Sequence, residues 1–283
     1  MAVGTEDWEG LMIDFASSFT QFVLATFLPL YVGLLFVMLL RESARVNLRI
    51  LSAFAFGLLF WFFLDTLNDA IQLNVNEGFS FGFHHTTLLL LFAVGFLSLA
   101  LPSGLSLSAK VGAENRQYSF LVGILVSLGL GFHGIAEGLG FGATVAGTSA
   151  TTVLDAIGGY SGGIAYVLHK FLEATIVMTV FVSLRHDEGL TIRKELWHLI
   201  GLGLAFGLPS ALGDFVGYYV QMDSSYFFAL GGGAALFVAL LSTRPIFAAN
   251  AQGKVTSQEW IRIVLAVLLG FLALYAAASL HAG

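Results

Sequence analysis

Apolar residues run along this chain in long, nearly unbroken blocks rather than in the one-sided rhythm of a water-exposed helix. A bilayer core of about 30 Å needs roughly 20 mostly apolar residues per helical crossing. Eight blocks reach that length, at about 19–40, 50–73, 84–101, 118–142, 158–184, 197–221, 225–247 and 260–280. The connections between them are short, so residues 1–283 read as one polytopic, all-α membrane domain. The opening Met1–Ser18 is acidic and lacks the basic start of a secretory signal, which leaves it as a short mature tail.

Composition removes the soluble alternative. The chain is 57% hydrophobic and only 11% charged, against about 25% charged in soluble domains, and its mean hydropathy is +0.87. A net charge of −6 excludes nucleic acid as a partner, because phosphate backbones demand a basic footprint. The absence of Cys excludes disulfide frameworks, thiolate metal sites and cysteine nucleophiles.

The basic residues orient the spans. Arg41, Arg45 and Arg49 separate spans one and two, Lys110 and Arg116 separate three and four, and Arg185, Arg193 and Lys194 separate five and six. Arg244, Lys254 and Arg262 lie around the last connection, while residues 74–83, 143–157, 222–224 and both tails carry no Lys or Arg. Eleven of the twelve cations therefore share one side. That side is expected to be cytoplasmic, in a cell membrane, with both termini outside.

The twelfth cation, Lys170, falls inside a span, and ionisable groups at that depth mark functional sites by default. The others are Asp65 and Asp69 in span two, His133 and Glu137 in span four, His169 and Glu173 in span five, and Asp214 in span six. Asp65/Asp69, His133/Glu137 and His169/Glu173 share the i, i+4 spacing that stacks two side chains on one helix face. Counted from opposite membrane faces, His133 and His169 both fall near the middle or outer-middle of the bilayer, so the last two pairs can converge. Two imidazoles and two carboxylates suit a divalent transition metal, with zinc first and Fe, Mn, Co or Cd also accommodated. Glycines at 134, 138 and 142 flank this chemistry with a face that admits close helix packing. Pro29 in span one and Pro209 in span six lie at comparable depth from opposite sides, a hint of an inverted repeat.

These residues resemble the ZIP (Zrt/Irt-like) family of metal transporters. His133-Gly134-Ile135-Ala136-Glu137-Gly138 is similar to the family's fourth-span motif, and His169-Lys170-Phe171-Leu172-Glu173 to its fifth-span His-x-x-x-Glu. Asp65-x-x-x-Asp69 is similar to the second-span Asp-x-x-x-His, with Asp69 in the histidine place, and Ser210-Ala211-Leu212-Gly213 to the sixth-span Glu-Pro-Leu-Gly. The resemblance implies a 3+2+3 arrangement with spans four and five between inverted repeats, and elevator-like movement of metal into the cytoplasm. It further implies that His133, Glu137, His169 and Glu173 form the metal site, with Asp65 and Asp69 on the external approach.

Three departures stand out. Where many relatives hold ligands for a second metal, this chain has Gly134, Lys170 and Ser210. A single-metal site is expected, with the Lys170 ammonium standing in for the second cation. Asp214, one turn beyond the lost glutamate, reads either as its partial replacement or as a structural group beside Pro209. The loop between spans three and four carries no His, so a cytoplasmic metal-collecting loop is not expected. His84 and His85 read as a solvated interfacial pair, with pre-binding of metal the alternative, and His186 and His198 receive no role.

Two rival functions share the composition. An intramembrane zinc hydrolase would need an open metal position and a lipid-sized cleft, and no His-Glu-x-x-His occurs. A proton-coupled carrier of another solute would use Lys170 and the acids as a relay. The favoured expectation is a non-enzymatic metal carrier with no prosthetic group. Its partners would be the lipid bilayer and a divalent metal ion, with a homodimer left open.

Overall fold

The computed structural model describes residues 13–42, 47–71, 83–108, 116–148, 152–184, 192–247 and 256–280. Every regular element among them is helical: α1 (Phe15–Glu42), α2 (Leu48–Ile71), α3 (Phe83–Ser108), α4 (Arg116–Gly147), α5 (Val153–Ala156), α6 (Gly159–Leu184), α7 (Ile192–Tyr219), α8 (Ser225–Phe247) and α9 (Ser257–Ser279). All except the one-turn α5 are long and apolar enough to cross a membrane, which gives the eight spans expected. The opening tail through Met12, most of the 74–83 connection, Arg45, Lys110, Arg185, His186 and Lys254 lie outside the described residues.

Side-chain oxygens set several helix starts by accepting from the orphan amides of a first turn. Asp14 Oδ2 accepts from the Ser17 amide at 3.0 Å, which begins α1 at Phe15, inside the stretch read as tail. Asn47 Oδ1 takes the Arg49 amide at 2.9 Å, and Thr256 Oγ1 the Glu259 amide at 3.2 Å. The fourth span runs five residues beyond its expected end at 142, to Gly147. The next connection holds α5, capped by Thr152. Gly158 and Gly159, at φ +89° and +71°, make the left-handed turn into α6 that only glycine adopts without strain.

The helices pack as two groups. In one, α4 lies along α7 and α1 crosses both α6 and α7; in the other, α2 packs on α8 and α9 while α3 packs on α8. Contacts of α4 with α8 and of α2 with α6 join the groups. Their common core contains Leu34, Leu58, Phe62, Leu130, Val177, Phe181, Phe206 and Val238. Outward residues are equally apolar, including Leu28, Leu89, Leu212 and Leu269, as expected of helices facing lipid tails.

Reciprocal glycine seats bring backbones together in the second group. A Cβ on Gly57 would overlap the Val267 carbonyl of α9, and one on Gly270 would overlap the Phe54 carbonyl of α2. The α3–α8 contact repeats this arrangement: Gly233 meets the Phe92 carbonyl and Gly95 meets the Leu230 carbonyl. The register carries to the helix starts. Asp223 Oδ1 accepts from the Ser225 amide at 3.0 Å, as Asn47 does from Arg49, and Asn47 and Asp223 are as far apart in sequence as Gly57 and Gly233.

Candidate metal centre

His133 and Glu137 project from one face of α4, and His169 and Glu173 from one face of α6. One donor atom from each lies within 4.8 Å of every other. His133 Nε2 is 3.4 Å from Glu137 Oε1, and His169 Nε2 is 3.4 Å from Glu173 Oε1 and 3.8 Å from Glu137 Oε1. Tetrahedral metal–ligand bonds of about 2.1 Å hold neighbouring donors about 3.4 Å apart, so two of these spacings already suit one ion. His169 Nε2 and Glu173 Oε1 are buried and make no hydrogen bond. Paired buried donors of this kind are costly in an apolar setting and fit a cation between them.

Each carboxylate divides its two oxygens. Both Oε1 atoms face the imidazoles, while both Oε2 atoms accept from Lys170 Nζ, at 2.6 Å in the case of Glu173. The ammonium is fully buried and lies over the rings of Phe206, 5.4 Å to its centroid, and Tyr166, 5.7 Å to its centroid. Tyr166 is fixed in turn by a 2.7 Å hydrogen bond between its hydroxyl and Thr26 of α1. Two carboxylates and one ammonium leave a formal charge of −1 before any metal binds. Glu137 is the most open of these side chains, at 17% exposure against 0–7% for the other ligands and Lys170.

The second helix group closes over His133. Thr66 Oγ1 of α2 is 3.1 Å from His133 Nδ1, and Phe62 and Phe228 lie against the ring at centroid distances of 4.5 Å and 5.1 Å. Gly231 of α8 rests on the His133 backbone, where an added Cβ would come within 2.8 Å. Sequence reading missed Thr66. Its signal is a hydroxyl directly beside Asp65, within an apolar span and on the neighbouring helix face.

The remaining expected residues spread around this centre. Asp69 is exposed and Asp65 half-buried. Gly134 and Ser210 face each other so closely that any side chain at 134 would overlap the Ser210 hydroxyl. Asp214 is buried one turn further along α7, with its backbone beneath Gly138 and Gly142 and its Oδ2 without a hydrogen bond. No ion pair joins it to the four donors among the described residues. His84 and His85 are exposed, with His84 Nδ1 3.3 Å from the Tyr226 hydroxyl, and His198 stacks on Phe120. Compared with known proteins, the chain matches no protein-family model and no curated protein.

Proposed function

We propose that this protein is a ZIP-like carrier that binds one divalent transition metal, zinc first, at His133, Glu137, His169 and Glu173 and delivers it to the cytoplasm. One observation supports this above the rest: two imidazole nitrogens and two carboxylate oxygens, from two membrane-spanning helices, within 4.8 Å of one another. Four such groups drawn together in hydrocarbon, without a metal to coordinate, would be expensive. The hydrolase reading is less well supported, because both carboxylates are engaged by imidazole and ammonium and neither stands free as a general base.

The site holds a single ion. Lys170 supplies the second positive charge, and repulsion of another dication beside it would be strong in a low-dielectric interior. Gly134 brings no ligand for a second metal, and a side chain added there would meet the Ser210 hydroxyl. During delivery, the α1/α4/α6/α7 group slides against the α2/α3/α8/α9 group, carrying all four donors with it. The reciprocal glycine seats and matched helix starts favour an inverted repeat in which α2 corresponds to α8 and α3 to α9. Both termini then lie outside the cell, as the positive-inside rule requires.

Metal uptake into proteoliposomes tests the function. Zinc is expected to enter vesicles containing the wild-type protein faster than protein-free vesicles, and His169→Ala should abolish the difference. Uptake no faster than in protein-free vesicles for Zn, Fe, Mn and Cd alike would end the proposal.

A further inference from the structure

Of the four donors, Glu137, His169 and Glu173 take their polar partners from within the α4/α6 pair, Lys170 among them, although Phe62 of α2 also lies 6.3 Å from the His169 ring. His133 differs. Its ring is held by residues of the other helix group: the Thr66 hydroxyl on Nδ1, and Phe62 and Phe228 edge-on against the ring. The Thr66–His133 bond is buried and crosses the boundary between the groups.

The chemistry of imidazole gives that bond a direction. A neutral ring coordinates metal through one nitrogen and carries its proton on the other. Nε2 is the nitrogen turned toward Glu137 and the other donors, so the proton belongs on Nδ1, where it is donated to Thr66 Oγ1. A partner of this kind fixes both the tautomer and the ring plane, and losing one typically weakens metal binding about 10- to 100-fold.

On the premise of the carrier proposed above, we infer that Thr66 is a positioning residue that completes the metal site across the boundary between the two helix groups. The Nδ1–Thr66 bond exists only while α4 and α2 keep their present register. Sliding by even one helical turn, about 5.4 Å, separates the two atoms. His133 then loses its tautomer lock, while the other three donors keep their polar partners within the α4/α6 pair. Affinity for the ion is thereby highest in the register seen here and falls once the groups have moved. Capture and release are linked to position without any change in the ligand set.

The test compares Thr66→Val, which keeps the shape and removes the hydroxyl, with Thr66→Ser, which keeps the hydroxyl. Zinc dissociation constants are measured by chelator competition on the purified full chain in detergent. Thr66→Val is expected to bind at least about 10-fold more weakly, with Thr66→Ser restoring wild-type affinity. Wild-type affinity in Thr66→Val, or failure of Thr66→Ser to restore it, overturns the inference. Should Thr66→Val not fold, nitrogen NMR of histidine-labelled wild type decides. A zinc-loaded ring that disappears in His133→Ala should carry its proton on Nδ1, and a proton on Nε2 would contradict the assignment. Absence of zinc binding by the wild type itself would instead defeat the metal site, a distinct result.

Discussion

Lys170 stands three residues before Glu173 on α6 and holds its carboxylate at 2.6 Å, with no part of either side chain exposed. The same ammonium reaches across to Glu137 on α4. It thus occupies the far side of both ligand carboxylates and competes with any ion on the near side. Replacement of Lys170 by Ala is expected to raise zinc affinity, because both carboxylates then turn fully to the metal. Without metal, the same variant should melt earlier: stranding buried charge costs about 3–5 kcal/mol. Titration and thermal unfolding, each with and without zinc, check the two effects. Unchanged or weaker zinc binding in Lys170→Ala would refute the competition.

The backbone contacts between α2 and α9 make a second, structural prediction. Gly57→Ala places a methyl group on the Val267 carbonyl and should destabilise the protein by about 1–3 kcal/mol. Gly140→Ala, at an exposed position of α4 with nothing within 4 Å of the new methyl, should leave stability unchanged or slightly raised. Equal melting temperatures for the two variants would mean that α2 and α9 are not in backbone contact.

A third prediction concerns the start of α8. Hydrogen bonding from Ser225 holds the Asp223 carboxyl below its ordinary value. A carboxyl depressed in the folded state contributes stability above its unfolded value of about 3.9, and that contribution disappears as pH falls through the folded value. Asp223→Asn should therefore show a shallower loss of melting temperature than wild type between neutral pH and about pH 3. Parallel curves would remove Asp223 from the acid response.

Much of the architecture was legible because lipid imposes a crude rule: every crossing must be apolar and about 20 residues long. The rule locates spans and blurs their ends. Asp14 starts α1 within the supposed tail, and α4 continues through residues 143–147, past the end expected at 142. The donors were legible through i, i+4 spacing, since His133/Glu137 and His169/Glu173 had to share helix faces. The spacing carried no information about partners from other helices. Thr66 and Phe228 reach His133 only because α8 packs on α4 and α2 packs on α8 and α6, and a hydroxyl in an apolar span does not announce a tertiary bond. Asp214 shows the opposite limit. Its place one turn after Ser210 reads equally as a partial replacement for the lost glutamate and as a structural group beside Pro209, and it lies buried beside the α4 glycines without an ion pair to the four donors among the described residues.

The most direct test of the central claim is an X-ray absorption spectrum of the zinc-loaded, purified protein. Four nitrogen and oxygen scatterers at about 2.0–2.1 Å, with the multiple-scattering signature of two imidazoles, are predicted for the wild type, reduced to one imidazole in His133→Ala. A spectrum of hydrated zinc without imidazole, or one unaltered by removing either histidine, would contradict a metal centre built from His133, Glu137, His169 and Glu173.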